Sequence, residues 1–217
     1  MPTREDFEMA LALAREVCRK QNPAQQADRA AVRWIPDHED GQRKGCSEVP
    51  FLGTAYVVKA PEGEVSYKES GVPEKEPALW EKILILHYCS KADGKPLAKE
   101  HMSFQEIADG RLYQPNFEKR VVAPLLGVFG TKPHEVLEFA GSLGGVEADL
   151  GDVSVAVPVF PRVPVTLVFW KGDEEFPPRL SILLDKSISH YLPTEDIVLA
   201  SQMFALRLIG MARGQRR

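Results

Sequence analysis

The segment Val163–Trp170, VPVTLVFW, is a run of apolar and β-branched residues. This composition predicts a central β-strand that is covered on both faces. Val153–Val157 alternates valine with small residues before it, and Leu180–Leu184 is a short apolar run after it. The turn segments Phe160–Arg162 and Lys171–Pro178 separate the runs. The last third of the chain therefore predicts three neighbouring strands.

Helical patterns and one hairpin fill the rest of the chain. A hairpin is predicted at Thr54–Val58 and Val65–Tyr67, around a turn at Pro61–Gly63. Helices are predicted over 3–21, 23 to 31 or 34, 77–88, 117–129, 131–141 and from Pro193 onward. This grouping predicts an α+β fold, in which about five helices pack on an antiparallel sheet of the N-terminal hairpin and the three C-terminal strands. We expect one domain, residues 1–217, with the N-terminal helix, residues 1–22, peripheral to the core.

Composition narrows the functional classes. A 217-residue chain with 44% hydrophobic and 27% charged residues is typical of a globular protein. The net charge of −4 argues against nucleic-acid binding, and the only basic cluster is the tail Arg213, Arg216 and Arg217. No secretory signal is recognisable, and no membrane segment is predicted. Three scattered cysteines, Cys18, Cys46 and Cys89, indicate a reducing compartment, so we expect a cytoplasmic protein.

Motifs of known chemistry are present only in broken form. Gly127–Lys132, GVFGTK, lacks the Ser or Thr that follows the lysine of a P-loop. Ala140–Gly144, AGSLG, follows a predicted helix, whereas a nucleophile elbow needs a strand there. His134 is followed at position 138 by Glu and not by the second His of a zincin, and His38 lies in a charged loop. We find no iron–sulfur, nucleotide or corrinoid motif.

One acidic segment is the candidate site. Trp170–Pro178, WKGDEEFPP, places Asp173, Glu174 and Glu175 in a turn between two apolar strands, and Asp185 and His190 follow. Carboxylates and an imidazole can bind a divalent cation, or one carboxylate can act as a general base. The alternative interpretation is a charged hairpin tip in which Gly172 supplies the turn geometry.

Several unusual strings resemble a known family. They occur in one order: PFLGTAYVVKAPEGEV, ILILHYCSKADGKPL, MSFQEIADGRLYQPNFEKRVVAPLLGVFG, FAGSLGG and VPVTLVFWKGDEEFPPRLSILLDKSISHYLPTED. From about Pro23 to Leu208 the chain resembles a prokaryotic family catalogued as domain of unknown function 3786. The resemblance implies no established activity. Members look common in anaerobes, and some carry a cysteine-rich iron–sulfur module that this chain lacks.

Two functions compete, and a third stays open. The first is a non-catalytic accessory or ligand-binding protein of anaerobic metabolism, with a small molecule or a protein as its partner. The alternative is a metal-assisted, hydrolase-like enzyme that uses the acidic segment 173–196. The third is a structural subunit, in which Phe160, Pro161, Val163 and Trp170 lie on an exposed sheet face.

Overall fold

A computed structural model describes residues 3–37, 43–68 and 76–215. His38, most of the connector Ser70–Pro77, and the terminal Arg216 and Arg217 lie outside these described residues. The chain divides into two compact units. The first comprises Met1–Pro96, Phe160–Arg162 and His190–Leu192, and the second comprises Leu97–Val159, Val163–Ser189 and Pro193–Arg217.

The first unit contains a four-stranded antiparallel meander and three helices. Its elements are α1 Arg4–Lys20, α2 Pro23–Arg29, β1 Arg33–Pro36, β2 Gly45–Phe51, β3 Thr54–Ala60, β4 Glu64–Tyr67 and α3 Leu79–Lys91. The sheet order is β1-β2-β3-β4. Tyr56, Val58 and Val65 point inward because side chains alternate along a strand. The hairpin β3–β4 and the nearly all-apolar helix α3 confirm the sequence predictions, although α3 begins at Leu79 and not at the expected Pro77.

The beginning of this sheet corrects a prediction. The helix expected to run from Pro23 to Ala31 or Trp34 ends at Arg29, and Trp34 lies in β1. Ala31 adopts a left-handed backbone with φ 53°, which stops the helix. Strands β1 and β2 were not predicted, and they form by pairing Arg33 with Glu48 through Pro36 with Gly45.

The second unit contains a five-stranded sheet of order β5-β9-β8-β7-β6. Its strands are β5 His101–Ser103, β6 Val146–Glu147, β7 Val153–Phe160, β8 Val163–Trp170 and β9 Arg179–Asp185. The strand β8 is central as predicted, and Val165, Leu167 and Phe169 are at most 1% exposed. The α+β class is thus confirmed, with the strands divided between two sheets. Phe160 and Val163 are also buried, so the prediction that these two residues lie on an exposed sheet face is wrong.

The helices of the second unit are α4 Gly110–Phe117, α5 Ala123–Phe129, α6 Glu135–Ser142 and α7 Thr194–Gln215. A π-helical turn, Glu118–Val122, joins α4 to α5 directly before Pro124. Proline lacks an N–H and clashes with the carbonyl four residues back, and the wider turn accommodates this. The predicted helix 117–129 therefore extends back to Gly110. Helix α6 begins after His134 and not at the expected cap Thr131.

Helix α7 is long and apolar. By length and composition alone Thr194–Gly214 could cross a membrane, with a mean hydropathy of 1.2, and 50% of its most apolar window is buried. No membrane segment is predicted from the sequence, so this candidate is a difference between the prediction and the structure. Core helices of soluble proteins pass the same test. Ile197, Ala200, Phe204 and Leu208 form its buried face as predicted, and Met211 is only half-buried.

Candidate functional site

The acidic segment is an exposed loop, Lys171–Pro178, between β8 and β9. Asp173 organises it: one carboxylate oxygen, Oδ1, accepts the N–H groups of Glu175 at 2.9 Å and Phe176 at 2.7 Å. These hydrogen bonds hold the pKa of Asp173 below its ordinary value. A side chain at Gly172 would lie 2.7 Å from the Pro178 ring. Asp173 and Gly172 therefore build the turn, and of these two the alternative interpretation of the sequence named only Gly172.

The tip of the loop presents charge and apolar surface together. The side chains of Glu174 and Glu175 are exposed, and within the described parts of the chain no ion pair or side-chain hydrogen bond is recorded for either. Phe176 follows them and is 56% exposed. An exposed aromatic ring beside two carboxylates is typical of a contact surface more than of a buried catalytic group.

A cleft of about 790 Å³ lies between this loop and a second segment, Gly130–Glu135. The second segment connects α5 to α6 and contributes Lys132, Pro133 and His134. Lys132 forms an ion pair with Glu135 at 3.6 Å, so these two charges largely offset one another. The loop Lys171–Pro178 carries one lysine and three carboxylates. With His134 neutral, the lining of the cleft has a formal charge of −2.

Asp185 lies at the opposite end of β9 from the acidic loop. Asp185 is the last of the seven residues of β9, so six residues of strand lie between it and Pro178, which is about 20 Å of extended backbone. Its buried carboxylate accepts four hydrogen bonds: from Ala98 N at 2.9 Å, Lys99 N at 2.8 Å, Ser187 N at 2.9 Å and Ser187 Oγ at 2.6 Å. Asp185 therefore fixes the backbone around β9 and does not join the loop.

His190 belongs to the first unit, where Asp93 is its partner. The imidazole Nδ1 lies 2.5 Å from the Asp93 carboxylate. The hydrogen bond with His190 is the main reason that the pKa of Asp93 lies below its ordinary value. The sequence assigned Asp93-Gly94 to a turn, which the φ of +86° at Gly94 supports, but gave no sign of this pairing.

The described residues contain no group of three or more His, Cys, Asp or Glu side chains that could hold a metal ion. The predicted candidates therefore separate into a loop, Asp173–Glu175, a structural carboxylate, Asp185, and an ion pair, His190–Asp93. Burial raises the pKa of Cys18 to about 11 and also raises the pKa of Cys89. These two thiols stay protonated at neutral pH, so neither is an activated nucleophile.

The opposite wall of the cleft was missed by sequence reasoning. The sequence of Gly130–Glu135, GTKPHE, indicates only the end of an incomplete P-loop and the start of a helix. Glycine and proline on either side of a lysine do indicate an exposed bend. The position of this bend opposite the acidic loop depends on contacts between segments that are far apart in sequence, so no local pattern indicates it.

The family described as Domain of unknown function (DUF3786) matches residues 22–207. The chain belongs to this family. No curated protein and no solved structure matches it. The acidic loop and its cleft both lie inside the matched residues, whereas α1 precedes them.

Proposed function

We propose that this protein is a non-catalytic accessory protein, which binds a basic, partly apolar segment of a partner polypeptide in the cleft between Gly130–Glu135 and Lys171–Pro178. The observation that carries the proposal is the exposed Phe176 beside Glu174 and Glu175 at the edge of that cleft. We place this activity in the cytoplasm of a prokaryote. The free state of Cys18, Cys46 and Cys89 supports a reducing compartment.

The walls of the cleft favour a polypeptide over a small metabolite. Thr131, Lys132, His134 and most of Lys171–Pro178 are exposed, whereas Pro133 is buried. A site for a small molecule usually encloses most of its ligand within apolar walls. An open cleft with one protruding aromatic ring suits an extended chain, which gains affinity by covering that ring.

The charge of the cleft selects a cationic ligand. Its lining carries a formal charge of −2, and Glu174 and Glu175 point their carboxylates into solvent. Lysine or arginine side chains on a partner would be attracted at long range and aligned at contact. An apolar side chain between the basic residues would pack on Phe176 and Pro177.

The test is nuclear magnetic resonance titration of the full chain with two synthetic peptides, one of lysine and phenylalanine and one in which every lysine is replaced by glutamate. We expect the cationic peptide to shift backbone amides in 130–135 and 171–178, and added salt to weaken its binding. The double substitution Glu174→Gln with Glu175→Gln should weaken it about three- to tenfold, because each removes one exposed charge.

The matched control is Glu62→Gln with Glu64→Gln, which removes two exposed charges, one from the turn before β4 and one from the first residue of β4, and should leave the affinity unchanged. Equal binding of both peptides, or shifts outside the two segments, would contradict the proposal. Metal analysis of the purified protein is the second readout. Stoichiometric metal that disappears in the Glu174→Gln, Glu175→Gln variant would favour the metal-assisted enzyme instead.

A further inference from the structure

Helix α1 exposes an apolar ridge on the face turned away from its own unit. Leu11 and Ala14 are buried on the inner face, and α1 packs on α3. Met9, Leu13 and Val17 recur every four residues on the outer face and are 66%, 59% and 47% exposed. Residues at this spacing form one continuous stripe along a helix. Three large apolar side chains on one stripe indicate a surface that another element covers.

The charges of α1 are segregated along its length. Its first half, Arg4–Ala12, carries three acidic residues and one arginine, a formal charge of −2. Its second half, Leu13–Lys20, carries three basic residues and one glutamate, a formal charge of +2. The helix is therefore complementary to a second copy of itself only when the two run in opposite directions.

Two charged residues mark the ends of the ridge. Asp6 precedes Leu13 by seven residues and Lys20 follows it by seven, so both lie nearly in line with Leu13 on the helix surface. Met9 and Val17 are likewise four residues to either side of Leu13. The pattern is thus symmetric about Leu13 in position and opposite in charge, which is the requirement for a two-fold axis at that residue.

We propose that α1 is a homodimer interface, in which it packs antiparallel on α1 of a second copy of this chain. Leu13 meets Leu13 of the other copy on the two-fold axis, and Met9 of each copy packs on Val17 of the other. Asp6 of each copy forms an ion pair with Lys20 of the other, for which Lys20 exchanges its exposed pair with Glu16 of the same helix, 2.6 Å away. A parallel arrangement is disfavoured, because it would bring Asp6 to Asp6 and Lys20 to Lys20.

This interface is separate from the proposed peptide cleft. Helix α1 belongs to the first unit and precedes the family-matched residues 22–207, whereas the cleft belongs to the second unit. Dimerisation and peptide binding can therefore succeed or fail independently.

The test is sedimentation velocity of the full chain over a range of concentrations, with three samples beside the wild type: Asp6→Lys, Lys20→Glu and an equimolar mixture of the two. We expect the wild type to reach twice the mass of the chain. Each single variant should dissociate at least tenfold more readily, because its homodimer opposes two pairs of like charges. The mixture should recover wild-type association, since a heterodimer of the two variants restores both opposite-charge pairs.

Recovery in the mixture would show that the single variants lose the interface and not the fold, because a variant that is unfolded alone would stay unfolded when it is mixed. Leu13→Glu should also abolish the dimer. Its control, Leu112→Glu, changes a leucine of α4 that is 77% exposed and should leave association intact. A monomeric wild type, a mixture that stays dissociated, or equal effects of the two leucine variants would overturn the proposal.

Discussion

A single buried hydroxyl illustrates how polar groups are satisfied in the first unit. Tyr88 of α3 is fully buried, and its hydroxyl donates to the Ala30 carbonyl at 2.6 Å while it accepts the N–H of Arg162 at 3.2 Å. Its ring stacks on Phe160 with centroids 4.2 Å apart. Burial raises the pKa of Tyr88, so the hydroxyl keeps the proton that it donates. One side chain thus joins a helix, a loop and a turn.

In the second unit the comparable residue is Asp185, and it yields a prediction. The substitution Asp185→Asn replaces an oxygen acceptor with an amide that cannot satisfy all four donors, among them the N–H groups of Ala98 and Lys99. Lys99 has a left-handed backbone with φ 57°, which these hydrogen bonds help to hold. We expect the free energy of unfolding to fall by about 2 kcal/mol at neutral pH, measured by urea denaturation.

The destabilisation by Asp185→Asn should depend on pH in a definite direction. Burial tends to raise the pKa of Asp185, but the hydrogen bonds outweigh it and the pKa lies below the ordinary value of 3.8. The carboxylate therefore stabilises the fold above about pH 4, and this contribution is lost as the pH falls through the lowered pKa. The gap between wild type and variant should narrow toward pH 3. Asp149→Asn, an exposed aspartate, is the control, and a gap that does not change with pH would contradict the role of the charge.

At the scale of elements, helix α7 contains a glycine that makes the helix less stable. Gly210 lies within α7, is exposed, and has no atom within 4 Å of the place where a Cβ would stand. Glycine in a helix loses more backbone freedom than alanine does on folding. We expect Gly210→Ala to raise the free energy of unfolding by about 0.5–1 kcal/mol, measured by urea or thermal denaturation.

The contrasting variant is Gly110→Ala, at the start of α4. A Cβ there would lie 2.0 Å from the Phe104 carbonyl oxygen, so we expect clear destabilisation. If both alanines stabilise the protein, or both destabilise it, the local packing assigned to these two glycines is wrong.

Elements were predictable where the signal is local. Strand β8, helix α3 and the hairpin β3–β4 each bury a face that their own sequence encodes. Strand β1 has only four residues and exists because it pairs with β2, nine or more residues later. Pro50 in β2 also weakened the strand signal, and it lies in the part of β2 that pairs only with β3.

In the candidate site too, local features were predictable and contacts between distant residues were not. The turn-forming role of Gly172 was predicted as one of two interpretations, because glycine acts within the loop itself. The hydrogen bonds that Asp173 accepts from the loop backbone were not predicted. The pairing of His190 with Asp93 joins residues that are 97 positions apart, and nothing local indicates it. Asp185 is close to the loop in sequence but not in space, because six residues of strand β9 lie between them.

At the scale of the whole molecule, the first unit is discontinuous in sequence. Besides Met1–Pro96 it includes Phe160–Arg162 and His190–Leu192. Within this unit Phe160 stacks on Phe51 at 4.6 Å as well as on Tyr88, and the Tyr191 hydroxyl donates to the Lys95 carbonyl. Six residues from late in the chain thus complete a core that the first 96 residues begin.

This discontinuity predicts that residues 1–96 do not fold stably alone, although they contain every strand of the first sheet. Without Phe160 and Tyr191 the ring of Tyr88 loses its stacking partners. We expect the fragment to unfold over a broad range of urea, whereas the full chain should show one transition that coincides by circular dichroism and fluorescence. A sharp transition in the isolated fragment would show that residues 1–96 form a domain of their own.

The same arrangement has a consequence for biosynthesis. The ribosome releases the first 96 residues well before Phe160 and Tyr191 exist, and translation proceeds at about 5–20 residues per second. For about 5–20 seconds the nascent first unit exposes the apolar ring faces of Tyr88 and Phe51. Because synthesis runs from the N-terminus, residues 1–96 are a substrate for chaperones until His190–Leu192, the last part of the first unit, leaves the ribosome.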